Sequence, residues 1–112
     1  MGTKTKYKSA NTGKSYLSEE LSSEILKELK NHCRDEMVGA AVITIPAAFK
    51  GVQSDATMKA AELAGFKQCL LLQEPIAASM AFGVGEKDID GRWLVFDFGG
   101  GTFDAALLSS TD

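Results

Sequence analysis

The stretch Arg92-Trp93-Leu94-Val95-Phe96-Asp97-Phe98-Gly99-Gly100-Gly101-Thr102-Phe103-Asp104-Ala105-Ala106-Leu107-Leu108 reads as apolar strand, acidic glycine-rich turn and second apolar strand. Trp93 to Phe96 is β-branched and aromatic, the composition of a buried strand. Three consecutive glycines allow backbone conformations closed to other residues, and allow another molecule to approach closely. Asp97 and Asp104 flank the glycines, and Thr102 adds a hydroxyl beside their bare N–H groups. Such N–H groups suit phosphate oxygens, and carboxylates suit a hard cation such as Mg2+. The stretch therefore points to a nucleotide-phosphate site; a hairpin turn that merely needs glycine is the plain alternative.

Upstream of it, strands alternate with helices. Thr5 to Ser9 and Lys14 to Tyr16 suit a short hairpin around Asn11-Thr12-Gly13. Ser18 is placed to cap a helix running to about Glu36 and closed near Gly39, with Glu19 and Glu20 at the positive end of its dipole. Leu21, Ile25, Leu29 and Cys33, joined by Leu26 and Met37, predict its buried face. Ala40 to Ile45 predicts a strand covered on both faces and ended by Pro46. A second helix is expected from about Val52 to Ala64. Its alanines suit close packing on a sheet, and Gly65 supplies its stop. Phe66 to Leu72 is the next buried strand. Glu74-Pro75 opens a third helix ended by Gly83 and Gly85, and Glu86 to Gly91 forms a charged loop with an Asp90-Gly91 turn. The order predicts an α/β fold with helices on a mostly parallel sheet, followed by a C-terminal hairpin that breaks the rhythm.

The bulk numbers narrow the classes. A chain of 112 residues that is 45% hydrophobic suits one domain, or one piece of a larger one. Its net charge of −3 argues against a general nucleic-acid partner. Lys4, Lys6, Lys8 and Lys14 read as a solvated face. No apolar run approaches the roughly 20 residues that cross a bilayer, so no membrane partner is expected. Cys33 and Cys69 form no CxxC motif and read as reduced core residues, and His32 has no metal-ligand partner at usable spacing. A cytoplasmic, reducing compartment fits this usage.

Three motifs in fixed order resemble the Hsp70 (DnaK-type) chaperone family: Ile43-Thr44-Ile45-Pro46-Ala47-Ala48-Phe49, Gln73-Glu74-Pro75-Ile76-Ala77-Ala78, and Asp97-Phe98-Gly99-Gly100-Gly101-Thr102-Phe103-Asp104. The resemblance implies an actin-like, ribonuclease H-like ATPase fold of two lobes around an ATP cleft. Residues 1–91 would be the later part of the first lobe, and residues 92–112 the opening hairpin of the second. It also implies roles. Asp97 would hold the Mg2+ shell through water. Gly99, Gly100, Gly101 and Thr102 would contact the β- and γ-phosphates of ATP or ADP. Asp104 would help bind a monovalent or divalent ion, with K+ a candidate, and Glu74 would position the attacking water. Glu74, Asp97 and Thr102 would thus form the catalytic set. Pro46 would sit on a relay to a peptide-binding domain. Implied partners of the whole protein are unfolded polypeptides, a J-domain co-chaperone and a nucleotide exchange factor.

The departures bear on that relay. Ala48, Lys50, Gly51 and Ser54 stand where the family usually has an aromatic, an amide and acid pair, and an arginine. A serine cannot replace the forked, charged contact of an arginine. Gln73 and Ile76 replace the usual Asn and Thr around the glutamate. Two alternatives follow: an actin-fold ATPase with altered interdomain signalling, and a sugar-kinase-like phosphotransferase of the same fold. A structural or interaction module is a third reading, apt for this piece alone. The family's first phosphate loop would precede this chain, and its adenosine contacts would follow it. The polypeptide alone is therefore expected neither to hydrolyse ATP measurably nor to bind it tightly. Its hairpin is expected either to pack on the first lobe or to self-associate.

Overall fold

The computed structural model describes residues 1–33, 38–83 and 91–110. Its elements are β1 (Tyr7–Lys8), β2 (Ser15–Tyr16), α1 (Ser18–His32), β3 (Ala40–Ile45), α2 (Gly51–Leu63), β4 (Gln68–Gln73), α3 (Glu74–Ala81), β5 (Gly91–Phe98) and β6 (Phe103–Ser110). The result is a mixed α/β arrangement of three helices and three two-stranded sheets among the described residues. The expected helix ends at Glu36 and Gly85, the apolar Met37 and most of the Glu86–Gly91 loop lie outside those residues.

The chain divides into two compact units. Met1–Ile43 with Phe49–Leu71 makes one, and Thr44–Ala48 with Leu72–Asp112 the other.

In the first unit, α1 lies against α2. Ala60 and Ala61 are completely buried, and Ala56, Thr57 and Ala64 nearly so. The facing residue on α1 is Ser23, only 2% exposed. Its hydroxyl donates to the Glu20 carbonyl at 2.7 Å, and Thr57 donates likewise to the Gln53 carbonyl at 2.9 Å. Small side chains that satisfy their own hydroxyls let the two helices approach closely. One expectation fails here: the Leu21-Ile25-Leu29 row is exposed, as is Cys33, whereas the alanines of α2 are buried on a helix that contacts α1. The cause is the partner: against an alanine surface, the small face of α1 packs better than its bulky one.

Helix termini explain the element bounds. The residue before α1 is Leu17, not Ser18, and its N–H donates to the Glu20 carboxylate at 2.6 Å, half of a capping box. At the other end, His32 Nδ1–H donates to the Glu28 carbonyl at 2.8 Å, and Cys33 is already extended. The Cys33 N–H turns back to the Lys30 carbonyl at 3.1 Å, a tightened last turn that takes up one of the terminal carbonyls, so α1 stops at His32. The end of α2 is a Schellman motif. Gly65 has φ +83°, its N–H reaches the Glu62 carbonyl at 2.9 Å, and the Phe66 N–H reaches the Ala61 carbonyl at 3.1 Å. Lys30 ties the helices together, donating to the Gly65 carbonyl at 2.9 Å with its ammonium 5.0 Å from the Phe66 ring centre.

Strands β3 and β4 are neighbours in one sheet. The N–H groups of Lys67 and Gln68 both bond the Gly39 carbonyl, at 2.7 and 3.1 Å, so the two strands open side by side, as a helical crossover through α2 requires. Neither is covered on both faces. Val42 and Leu70 are exposed while Ile43 and Cys69 are half-buried, the alternation of a sheet with one open side. Burial holds the Cys69 thiol above its usual pKa, because the thiolate loses hydration there.

In the second unit, α3 packs on the β5–β6 hairpin. Strand pairing is antiparallel and runs from Gly91↔Ser110 to Phe98↔Phe103. Side chains alternate across the strands. Trp93, Val95, Ala106 and Leu108 share one half-buried face, and Leu94, Phe96, Phe98, Phe103 and Leu107 share an exposed one.

Candidate functional site

The hairpin register decides the site. Asp97 pairs directly with Asp104, so both carboxylates stand on the same face, the one that carries Val95 and Ala106. Directly opposed like charges destabilise a strand pair by about 0.2–1 kcal/mol. A fold that keeps such a pair at the mouth of a turn gains nothing structural from it. A cation between the carboxylates would reverse the sign of that interaction.

The turn itself is Gly99 to Thr102. The Gly99 N–H donates to the Thr102 carbonyl at 3.0 Å, closing the loop. The N–H groups of Gly100 and Gly101 make no such backbone bond among the described residues. None of the three glycines adopts a left-handed φ, which corrects the expectation that the turn needs glycine for its conformation. A Cβ built on Gly100 or Gly101 would meet nothing within 4 Å, and one on Gly99 would meet Thr102 at an ordinary 3.6 Å. This chain would tolerate side chains there. What their absence provides is close access to bare N–H groups from outside, the geometry of a phosphate cradle.

Glu74 joins the acids from α3. Pro75 stands just inside the start of that helix, where its missing N–H costs nothing, and Glu74 is the acid of its first turn. Glu74, Pro75, Asp97, Asp104, Val95, Ala105 and Ala106 line one hollow of about 90 Å³ together with Ala47 and Ala48, the two residues after Pro46. The ion pairs among the described residues, Lys27–Glu24 and Lys59–Glu62, lie on α1 and α2, as does the contact of His32 with Glu28, so none neutralises these three acids.

The donor set suits a hard cation: oxygen ligands only, two of them facing each other. No three acidic, Cys or His groups among the described residues close on one point as a direct metal cage. Water must therefore complete any ion's shell, the habit of Mg2+.

The sequence-read residues Glu74, Asp97, Thr102 and Asp104 thus fall around one hollow and its adjoining turn. Pro46 follows the end of β3 and flanks the Ala47–Ala48 wall. Of the departing positions, Ala48 is in that wall, whereas Lys50, Gly51 and Ser54 sit at the start of α2. Ala47, Ala105 and Ala106 carry no chemistry and drew no notice as site residues. Their role is to leave space, and their only signal is two small-residue pairs at places where the packed face allows bulk.

One expected result tests the acid pair without any ligand. Asp104→Asn should raise the unfolding free energy of the chelator-treated chain by a few tenths of a kcal/mol, read from the urea midpoint. A loss of stability would mean that Asp104 has a structural partner and is not held in opposition to Asp97.

The sequence matches the family described as Hsp70 protein over residues 2–112. With nearly the whole chain matched, and with the family's acidic glycine turn folded so that its two aspartates face each other beside Glu74, the chain belongs to the Hsp70 family.

Proposed function

We propose that this chain is a segment of the ATP-hydrolysing domain of an Hsp70 chaperone, with residues 1–91 in the first lobe of an actin-like, ribonuclease H-like fold and residues 92–112 opening the second. The observation that carries the reading is the opposition of Asp97 and Asp104 beside an open glycine turn, with Glu74 lining the same hollow.

Phosphoryl transfer to water needs positioning and charge neutralisation more than covalent help. The turn from Gly99 to Thr102 offers its N–H groups, above all those of Gly100 and Gly101, and the Thr102 hydroxyl to β- and γ-phosphate oxygens. Asp97 would hold a hydrated Mg2+ through its water, by accepting hydrogen bonds. Asp104 faces the same space and suits a monovalent or divalent ion, K+ included. When bound, such ions neutralise charge that develops on the phosphate. Glu74 accepts a proton-bearing hydrogen bond from the attacking water and aims its oxygen. The whole protein would couple this cycle to holding unfolded polypeptides in the cytoplasm, assisted by a J-domain protein and an exchange factor. Ala48, Lys50, Gly51 and Ser54 around Pro46 favour weakened coupling to the peptide-binding domain, because none of them can make an arginine's forked contact.

Size sets what the segment does alone. A hollow of about 90 Å³ holds roughly three waters, enough for a phosphate oxygen and a hydrated ion. Drug-sized ligands occupy about 300–1,000 Å³. This hollow therefore offers a phosphate-and-cation end and has no room for a nucleoside.

The test is a graft. Residues 2–112 replace the matching segment of an active Hsp70 ATPase domain, and ATP turnover is measured beside ATP calorimetry on the 112-residue chain. Turnover within about tenfold of the host (1.4 kcal/mol of barrier), with no micromolar ATP binding by the isolated chain, is the expected result. A folded graft that binds ATP and does not turn it over would overturn the catalytic reading, and micromolar binding by the isolated chain would overturn the size argument.

A further inference from the structure

Of the four positions that depart from the family's pattern, one stands apart by its place. Lys50, Gly51 and Ser54 lie at the start of α2. Ala48 lies in the wall of the hollow that Glu74, Asp97 and Asp104 line. A weakened relay to another domain covers the three on α2, whereas Ala48 also borders the chemistry. Its side chain shares space with the carboxylate that aims the attacking water.

At about 90 Å³ the hollow holds roughly three waters, at about 30 Å³ for each. The methyl group of Ala48 neither donates nor accepts a hydrogen bond, so it orders none of them, and it is too short to exclude them. The family usually has an aromatic at this position, and a ring is a far larger body: a cavity that takes up benzene measures about 150 Å³. A ring that leans even partly into the hollow displaces water that Ala48 admits. That difference belongs to position 48 itself and is the same whatever other surface borders the site.

Two effects of the additional water act in one direction. Glu74 aims a water only while that water is held in line, and neighbours that exchange with it dilute the aligned arrangement. Water also screens the attraction between N–H groups or a cation and the charge that develops on phosphate. Resting on the ATPase reading above, we propose that Ala48 is a positioning residue for the attacking water. By leaving the space beside Glu74 open to several waters, it slows the cleavage step itself, independently of any signal to or from a peptide-binding domain.

The Hsp70 ATPase domain that carries residues 2–112 tests this when a ring is put back. Single-turnover cleavage of ATP, with enzyme in excess, reads the chemical step apart from binding and product release. Ala48→Phe and Ala48→Tyr should each speed that step by about threefold or more and leave the Kd for ATP within about twofold. The two rings should act alike, because volume and not a hydroxyl is at work. A ring that merely repaired the fold would tighten binding and speed cleavage together, and would raise the urea midpoint. Where far-UV circular dichroism shows that a ring is too large for the domain to fold, Ala48→Val fills part of the same space and should speed the step by about 1.5-fold or more. A folded variant that binds ATP and cleaves it no faster, a gain confined to tyrosine, or a change in Kd that accounts for the rate would each overturn the proposal. A graft that binds ATP and fails to cleave it with Ala48 in place would overturn the ATPase reading, and the proposal with it.

Discussion

Gly100→Val is expected to lower ATP turnover by about two orders of magnitude in an Hsp70 ATPase domain that carries residues 2–112 in place of its own segment. In the isolated 112-residue chain the same change should cost no more than about 0.5 kcal/mol, read as an unchanged urea midpoint. Both halves follow from one observation. Gly100 does not hold a left-handed backbone, and a Cβ there meets no atom of this chain within 4 Å. Valine therefore costs the fold little, while its branched side chain would stand where, on the proposed function, a phosphate oxygen approaches the N–H groups. Gly65 is the contrasting case in the same chain. Its φ of +83° serves the end of α2, and any side chain there would strain the backbone whatever the ligand. A parallel loss of stability and turnover in Gly100→Val would make Gly100 a structural glycine like Gly65 and remove the argument for a cradle.

The division between those glycines also marks how far the residues alone could be read. Strand β3 was legible to the residue, because a β-branched run bounded by Gly39 and Pro46 leaves little choice. The stop of α2 at Gly65 and the start of α3 at Glu74-Pro75 were legible for similar local reasons. The acids and glycines of the hairpin stood out by type. Their face-to-face placement did not, since it depends on a four-residue loop that pairs Phe98 with Phe103 and so Asp97 with Asp104. Glu74 reaches the same hollow only through the packing of α3 on the hairpin, which no local pattern encodes.

The register also explains why one strand pair carries two surfaces of opposite character. Alternation puts Asp97 with Val95 and Trp93 on one face, and Phe96 with Phe98 and Leu94 on the other. A one-residue slip would place the carboxylates among the phenylalanines. The cost of burying unpaired carboxylates among those rings, wherever that face is covered, is a strong reason for the chain to hold the observed pairing.

Misjudging the buried side of α1 was the largest failure of pattern reading, and it leads to the largest expected effect on stability. Ala61→Leu should destabilise the chain by about 1–3 kcal/mol, whereas Ile25→Ala should change it by no more than about 0.5 kcal/mol. Hydropathy would rank them the other way, since truncating a buried isoleucine costs about 2–5 kcal/mol. The structure inverts the order. Ile25 is 64% exposed and Ala61 has no exposure at all, and Ser23, the buried residue of α1, lies about 200° round the helix from Leu21. Three added carbons at Ala61 have no room unless α1 and α2 move apart, which would break the bond from Lys30 to the Gly65 carbonyl. At Ile25, the lost contact is small and is offset by the better helix propensity of alanine. Urea unfolding of the two variants, followed by far-UV circular dichroism, compares them directly. Should Ile25→Ala prove the more damaging, α1 would have to present its Leu21-Ile25-Leu29 row to the core, rotated by about half a turn from the packing described.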